Sequence, residues 1–376
     1  MHIAFVTFGN YYRHPTLKRA TGMASPLLSR GHKVSILIED SPENRAKVFV
    51  ECPGAQIIYH KRGKTARAER AAKQATLNAI QPDVVWICGV GLRNWVCKPT
   101  PTSIVLGDHS ELVSSFIPKG PRWVYEYISE WLHLWAFDGH ICASRYLEDF
   151  YNKRLLKCHK HTRVHYSPYA FEPHFVHSSK PVLNRIRERC RYSKTIVYMG
   201  GMWENYGCWD MLEVFRKLLM NRRDFQVFMI GKGPELERAR AWVSDNGLEG
   251  HCYLEGYVQE DHLSSYFDLA DVFLCPLRDT VQDKARCPSK LYMYLPFRKP
   301  IITSAIGEAA ELFGKDGLYY TPGDRDALET LIADFLDGKL SGKALPDPEA
   351  HTYEARTVAF LNWFASNWAE SKRITE

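Results

Sequence analysis

Short apolar runs that stop on glycine and hand over to helix-patterned segments are what most narrow the folds open to this chain. Between Thr195 and Leu312 they recur as TIVYMGG (195–201) followed by WENYG (203–207), FQVFMIGKGPE (225–235), CYLEGYV (252–258), ADVFLCPL (270–277) and RCPSKLYMYLPFRKPIITSAIGEAAEL (286–312). A short apolar run closed by Gly and followed by a segment of helical period reads as a strand feeding a helix in a parallel sheet. Glycine at the carboxyl end of such a strand lets the backbone come close to a phosphate. The start of the next helix supplies unpaired N–H groups. The pattern points to a phosphorylated ligand.

The N-terminal half carries the same alternation. HIAFVTF (2–8) reads as a strand with a Gly9-Asn10 turn, followed by a helix over roughly 15–30 that stops at Gly31. RGHKVSILIED (30–40), QIIYHK (56–61), PDVVWICG (82–89), SIVLGDH (103–109) and DGHICAS (138–144) supply further strands. A basic, alanine-rich helix covers 64–79 and an aromatic one 121–136, and HTRVHYSPYAFEPHFV (161–176) adds a strand and a Pro-containing turn. Strand–helix alternation of this kind is a doubly wound α/β sheet. Residues 177–194 are polar and basic, a linker with a short helix, after which the alternation starts afresh. The chain ends in an amphipathic helix, 353–374, with Val358, Leu361, Phe364 and Trp368 at helical spacing and Trp363 nearby.

At 376 residues there is room for two cores rather than one, and 45% hydrophobic with 24% charged residues is ordinary for a globular protein. No run reaches the length of a bilayer span, and the chain opens directly into a strand, so no signal peptide is expected. Ten cysteines are scattered without CxxC pairing, and Cys88, Cys142 and Cys275 sit inside apolar runs as small hydrophobes. A reduced, cytoplasmic protein is the expectation. CHKH (158–161) lacks the paired spacing of a zinc site and reads as a solvated basic turn. A net charge of +6 falls short of a nucleic-acid-binding stripe. It suits the handling of anionic small molecules, or a loose contact with an anionic membrane surface.

The order of the motifs narrows the field further. GGMWENYG, MIGKGPELE, YLEGYV, ADVFLCPL, PSKLYMYLPFRKPIITS and GEAAEL, in sequence, resemble the donor-binding domain of GT-B, family 4-type retaining glycosyltransferases. The first half resembles their acceptor domain less closely, through its Gly turn after strand one, GDH after a strand and DGHICAS before the linker; the likeness is weakest over 41–80. The resemblance implies a GT-B architecture, two Rossmann-like doubly wound domains facing a central cleft. The acceptor domain would cover 1–176, a linker 177–194, and the donor domain 195–352, with a C-terminal helix, 353–376, crossing back to the first domain. It also implies a hexosyltransferase-type enzyme that moves a sugar from a nucleotide-sugar donor, UDP-linked first of all, to a hydroxyl of a glycan or other acceptor. Configuration would be retained, and neither a metal nor another cofactor is expected.

On that resemblance Gly200 and Gly201 open the donor site. Gly256, Tyr257 and Val258 read the base through their backbone, and Gly307 and Glu308 meet the donor sugar at a helix start. The family's Arg after the first Gly of the GGMWENYG segment, and its Lys before the last, are replaced here by Gly201 and Tyr206. Its two glutamates are replaced by Ala285 and Met293, neither a side-chain hydrogen-bond acceptor of any strength. Arg286 and Lys290, around Pro288 and Ser289, are the expected substitute. Read as one helix start, the i and i+4 positions would aim both cations at a diphosphate, and some sub-branches of the family carry such an Arg–x–Pro–x–Lys run. The plain alternative is a pair of surface charges.

On the acceptor side, His109 is expected as a catalytic residue with Asp108 beside it and Glu111 close by, at a strand end where open sheets place ligands. A structural histidine is the alternative. Gly9, Asn10, Arg13 and Lys18 are expected to bind the acceptor, against a solvated basic helix start. Two rival functions stay open: a nucleotide-sugar epimerase on the same architecture, and a non-catalytic sugar-nucleotide-binding partner protein. A dinucleotide-dependent dehydrogenase is disfavoured because no GxGxxG follows strand one. The oligomeric state is not fixed by the sequence.

Overall fold

The computed structural model describes residues 1–10, 15–171, 182–340 and 345–368. It divides into two compact units, Met1–Phe171 with Ala285–Cys287 and His351–Glu376, and Glu172–Lys284 with Pro288–Ala350.

The first unit is built on a seven-stranded sheet, ordered β3-β2-β1-β4-β5-β6-β7. Its strands are β1 (His2–Val6), β2 (Lys33–Glu39), β3 (Gln56–His60), β4 (Val84–Cys88), β5 (Ile104–His109), β6 (Gly139–Cys142) and β7 (Val164–Tyr166), paired in parallel throughout. β4 reads VVWIC and is buried along its whole length, as a parallel strand covered on both faces must be. The helices of this unit are α1 (Pro15–Ser29), α2 (Pro42–Glu51), α3 (Ala66–Ile80), α4 (Pro121–Ala136) and α5 (Arg145–Lys157). Ser41, Thr65 and Ser144 cap α2, α3 and α5, each side chain accepting a backbone N–H three residues on.

The second unit repeats the plan with six parallel strands, ordered β10-β9-β8-β11-β12-β13. In chain order it runs α6 (Leu183–Arg187), β8 (Lys194–Met199), α7 (Cys208–Asn221), β9 (Phe225–Ile230), α8 (Leu236–Asp245), β10 (Cys252–Gly256), α9 (Glu260–Leu269) and β11 (Val272–Cys275). Then follow α10 (Val281–Ala285), α11 (Ser289–Tyr294), β12 (Ile301–Thr303), α12 (Gly307–Phe313), β13 (Leu318–Tyr319) and α13 (Arg325–Leu336). In both sheets the strand order reverses beside the first strand, between β1 and β4 and between β8 and β11, and open α/β sheets bind ligands at that point.

Two helices go beyond the sequence reading. α2 buries only Asn44 and Val48 while Phe49 and Val50 face solvent, so it has no apolar stripe to read. α5 does have one, Leu147, Tyr151 and Leu155 at i, i+4 and i+8, behind the Ser144 cap. Among the described residues no helix is long and apolar enough to cross a membrane.

The last helix, α14 (Tyr353–Trp368), belongs to the first unit and packs on α1 in the core that also holds Phe5 and Trp86. Its inward face differs from the expected one. Tyr353, Thr357, Phe360, Phe364 and Trp368 are buried, Leu361 and Trp363 are partly covered, and Val358 is exposed. The reason is a rotation set by Phe360, whose ring lies 4.6 Å from that of Trp86, and by Tyr353, which fills the space left by Gly22. Phe360→Ala is expected to cost about 3–5 kcal/mol, the usual price of a buried Phe cavity, whereas Val358→Ala should change stability by under about 0.5 kcal/mol. Urea denaturation of the two variants checks this; equal effects would contradict the packing.

Candidate functional site

In the second unit the residues expected to hold a donor gather at the carboxyl edge of the sheet, around β8 and β11. Gly200 and Gly201 follow the last residue of β8. A side chain at Gly200 would meet the Lys290 amine and the Tyr198 hydroxyl, so the missing Cβ is what admits the ammonium to this turn. Lys290 Nζ lies 4.3 Å from the centre of the Tyr198 ring, a cation held over an aromatic face. The Tyr198 hydroxyl donates to the Gly201 carbonyl (3.1 Å), and the Met199 N–H donates to the Tyr294 hydroxyl (2.8 Å). Tyr294 and Lys290 share α11, so the glycine turn and the cation are fixed to each other through one short helix.

The glycines of GKGPE do a different job. A Cβ at Gly231 would collide with the Gly200 carbonyl, and one at Gly233 with the Met202 carbonyl. Gly231 also has φ +146°, which side-chain-bearing residues avoid. The two turns are laced by backbone hydrogen bonds: Gly200 N–H to Ile230 O (2.8 Å), Met202 N–H to Lys232 O (3.0 Å) and Glu235 N–H to Met202 O (3.1 Å). Gly256 ends β10 with φ +71° after a register shift, and its carbonyl accepts the Gly231 N–H at 2.8 Å. Beyond it Tyr257 is exposed, with Lys232 Nζ 5.0 Å from its ring centre, and Val258 is half-buried.

Gly307 opens α12 with φ +49°, and a Cβ there would meet the Asp283 carbonyl at 2.8 Å. The next residue, Glu308, is buried and accepts the Tyr292 hydroxyl at 3.1 Å. Ser289 is the half-buried first residue of α11. One expectation fails here. Arg286 and Lys290 do not share a helix face, because α10 ends at Ala285 and α11 begins only at Ser289. Pro288 stands between them in extended conformation (φ −68°, ψ 102°), where its ring and missing N–H break the helix. Arg286 lies half-buried in the intervening loop and falls in the first unit with Ala285 and Cys287. Ala285 is fully buried, its carbonyl accepting the Ser144 hydroxyl at 2.6 Å, and Met293 is half-buried on α11.

Three side chains at this edge were not singled out by sequence: Trp203, Lys232 and Arg278. Trp203 and Arg278, with Glu204, Asn205, Pro234 and Glu235, line a solvent-open groove of about 450 Å³. Arg278 is held by Asp210 (3.0 Å), whose other oxygen takes Arg325 at 2.7 Å. The signal was available, since each lies within two residues of a Gly or Pro at the end of a strand run.

Residues 193–337 match the family model described as glycosyl transferases group 1. A curated relative, 2-deoxystreptamine N-acetyl-D-glucosaminyltransferase of Niallia circulans, is 22% identical over 64% of this chain and 61% of its own length; the chain thus spans under two thirds of that relative. Among solved structures, a glycosyltransferase from Rickettsia africae ESF-5 matches with a TM-score of 0.67 at 14% identity, over 100% of this chain and 97% of that one. Anabaena HepE in complex with UDP-glucose matches with 0.68 at 10% identity, over 100% and 99%. The chain has the GT-B fold, and its likeness to the group 1 glycosyl transferases lies in residues 193–337.

In the first unit the expected acceptor and catalytic residues fare less evenly. Gly9 (φ +76°) donates its N–H to Glu39 (3.2 Å) and accepts the Asn44 amide (2.9 Å), which fixes the turn after β1. Asn10 follows in the same loop, Lys18 is half-buried on α1, and Arg13 lies outside the described residues. Asp108 is only 1% exposed. It pairs with Arg19 Nε at 2.8 Å and accepts the Trp86 indole N–H at 3.1 Å. Burial raises its carboxyl and Arg19 pulls it back down. Arg19 also donates to the Ser167 carbonyl (2.7 Å) and hydroxyl (3.0 Å), so the pair ties α1 to β5 and to the segment after β7. Asp108 is thus enclosed between Arg19 and Trp86.

His109 is enclosed as well. It is 2% exposed, stacked on Tyr151 (4.0 Å between ring centres) and hydrogen-bonded through Nε2 to His140 Nδ1 (3.0 Å). The ring sits within the core of this unit. Glu111 nearby is exposed.

Four histidines in this core titrate low because burial disfavours their charge: His109 far below its ordinary range, His133 at about 4, and His140 and His165 at about 3. Below pH 6.5 the unfolded chain therefore binds protons that the folded one refuses, and stability falls as pH falls, by about 1.4 kcal/mol per pH unit for each such histidine. Denaturation midpoints should drop steeply between pH 7 and pH 5, and a flat profile would contradict the buried cluster.

Proposed function

We propose that the chain is a hexosyltransferase that moves a sugar from a UDP-linked donor to a hydroxyl of a glycan or other acceptor. The observation that carries this reading is the Lys290 ammonium set over the Gly200 turn, at the reversal point of the second sheet, with no side chain at Gly200 or Gly201 in the way. In glycosyl transfer the bond between the anomeric carbon and the diphosphate oxygen breaks while one to the acceptor oxygen forms, and negative charge grows on the leaving diphosphate. A fixed cation and backbone N–H groups at that place lower the barrier most.

In this reading Lys290, Ser289 and the Gly200–Gly201 backbone receive the diphosphate, with Arg286, four residues earlier in the chain, as the second cation. The protein's own charge then takes the role that a metal ion plays in other transferases. Gly256, Tyr257 and Val258 meet the base, and the Lys232–Tyr257 stack stiffens that edge. Glu308, oriented by Tyr292, and the Gly307 N–H take hydroxyls of the donor sugar. The acceptor is met from Gly9, Asn10, Arg13 and Lys18. Retention is the stereochemistry that the family resemblance implies, with the acceptor proton passing to the leaving phosphate. UDP as the nucleotide draws support from HepE, solved with UDP-glucose. The curated relative, named for N-acetyl-D-glucosaminyl transfer, supports a hexosamine or hexose as the group moved. None of the ten cysteines is in a disulfide and seven of them are buried, which fits a reducing compartment such as the cytoplasm.

Titration calorimetry with UDP, GDP and CMP tests the donor site. Lys290→Ala and Arg286→Ala are each expected to weaken UDP binding by about 1.5–3 kcal/mol, the scale of a charge-assisted hydrogen bond. Gly200→Ala should weaken it as well, by displacing the Lys290 amine, with little loss of fold stability. Wild-type affinity in all three variants would sink the assignment. Release of an epimerised donor without any acceptor, or tight UDP binding without transfer to any acceptor, would favour the epimerase or the non-catalytic binder.

A further inference from the structure

The helix α4 (Pro121–Ala136) is turned inside out. Its buried residues, Ser129, Glu130, His133 and Leu134, share one side, and three of the four are polar. On the opposite side Val124, Tyr125, Ile128, Leu132 and Trp135 fall within about 100° of arc on a 3.6-residue period. Ile128, Leu132 and Trp135 are 50%, 48% and 56% exposed. Leu156 on α5 and Phe116 in the turn ahead of α4 are also exposed. A helix on the surface of a globular protein keeps its apolar stripe inward. Here the stripe faces out, and a contiguous exposed apolar surface of this kind marks a place that something else covers.

The surroundings say what that is. Lys160 Nζ lies 5.4 Å from the Trp135 ring centre and Lys157 Nζ 5.9 Å from that of Trp131, so both ammonium groups border the stripe; Lys119 and Arg122 are exposed at its start. The carboxylates nearby are turned to partners of their own. Glu130 is buried against Ser114, Asp138 pairs with Lys98 (2.7 Å), Glu148 with Arg145 (2.6 Å) and Asp149 with Lys153 (3.9 Å). Glu126 lies on the inward half of the helix. Tryptophan and tyrosine beside lysines with long aliphatic stems are suited to a water–hydrocarbon boundary, where ring and stem sit in apolar surroundings and the polar tip stays wet. A second copy docking about a two-fold axis would bring these cations against their own equivalents. An anionic lipid surface complements them.

We propose that α4 docks the chain on an anionic phospholipid surface, with Val124, Tyr125, Ile128, Leu132 and Trp135 entering the headgroup boundary and Lys119, Arg122, Lys157 and Lys160 meeting lipid phosphates. This surface is separate from the donor residues and stands whether or not the proposed transfer reaction is right.

The test is co-sedimentation of the full chain with vesicles of phosphatidylcholine alone and of phosphatidylcholine with phosphatidylglycerol. Binding is expected to the anionic vesicles, weakening with salt. Lys157→Gln and Lys160→Gln should each reduce the partition coefficient roughly fivefold, and Ile128→Glu with Leu132→Glu should abolish binding. All these side chains are exposed or half-exposed, so melting temperature and UDP affinity should stay at wild-type values, which separates a lost surface from a lost fold. Equal binding to both vesicle types, or binding that survives Ile128→Glu with Leu132→Glu, overturns the proposal. So does concentration-dependent self-association in sedimentation velocity that those two substitutions abolish while vesicles bind nothing.

Discussion

The second unit depends on one close approach, that of the Gly200–Met202 turn to the Gly231–Gly233 turn. Backbone meets backbone there with no room for a Cβ at Gly231 or Gly233, and three N–H···O bonds lace the two loops. The Gly256 carbonyl joins the same network through the Gly231 N–H. With the ends of β8, β9 and β10 locked in this way, the Gly200 turn is a fixed platform. Lys290 is fixed to it in turn through Tyr198 and the Tyr294–Met199 bond. Preorganisation of this sort is what electrostatic catalysis requires, because a cation already in place needs no reorganisation as charge develops.

Much of this was legible in the sequence, for a physical reason. Strands buried on both faces are unbroken apolar runs, and the glycines that end them are forced by close approach, so both features leave letters. TIVYMGG and FQVFMIGKG mark β8, β9 and their turns. What the letters could not show is which backbone each glycine admits: Gly200 makes room for an amine, Gly231 for a carbonyl. The i, i+4 reading of Arg286 and Lys290 failed because spacing alone does not reveal where Pro288 breaks the helix. The burial of His109 and Asp108 was not legible, because a strand end shows position along the sheet but not depth. Whether a polar side chain there faces solvent or packs under neighbouring helices depends on Arg19, Tyr151 and His140, which lie far away in sequence.

The first unit carries an unusual amount of polar chemistry in its core. The Arg19–Asp108 pair, the His109–His140 bond and the buried Lys73, which donates to Glu69 (2.9 Å) and Asn94 (2.6 Å), are all enclosed. Buried pairs of this kind add little net stability, but removing one partner costs about 3–5 kcal/mol. They act as registers. Arg19–Asp108 fixes α1 to β5, while Lys73–Asn94 fixes α3 to the loop after β4. That loop leaves the sheet at its reversal point, where precise placement matters most. The outward apolar stripe of α4 is the counterpart of this arrangement: the polar side of that helix is spent on the interior, on Ser114 and the histidine cluster.

Amide hydrogen exchange of the full chain with and without UDP tests the central claim most directly. If the Gly200 turn and α11 receive the diphosphate, protection should rise in peptides covering 199–203 and 288–293 and leave β2 and β3 unchanged. Protection that appears elsewhere while those two segments exchange at the same rate would contradict the account.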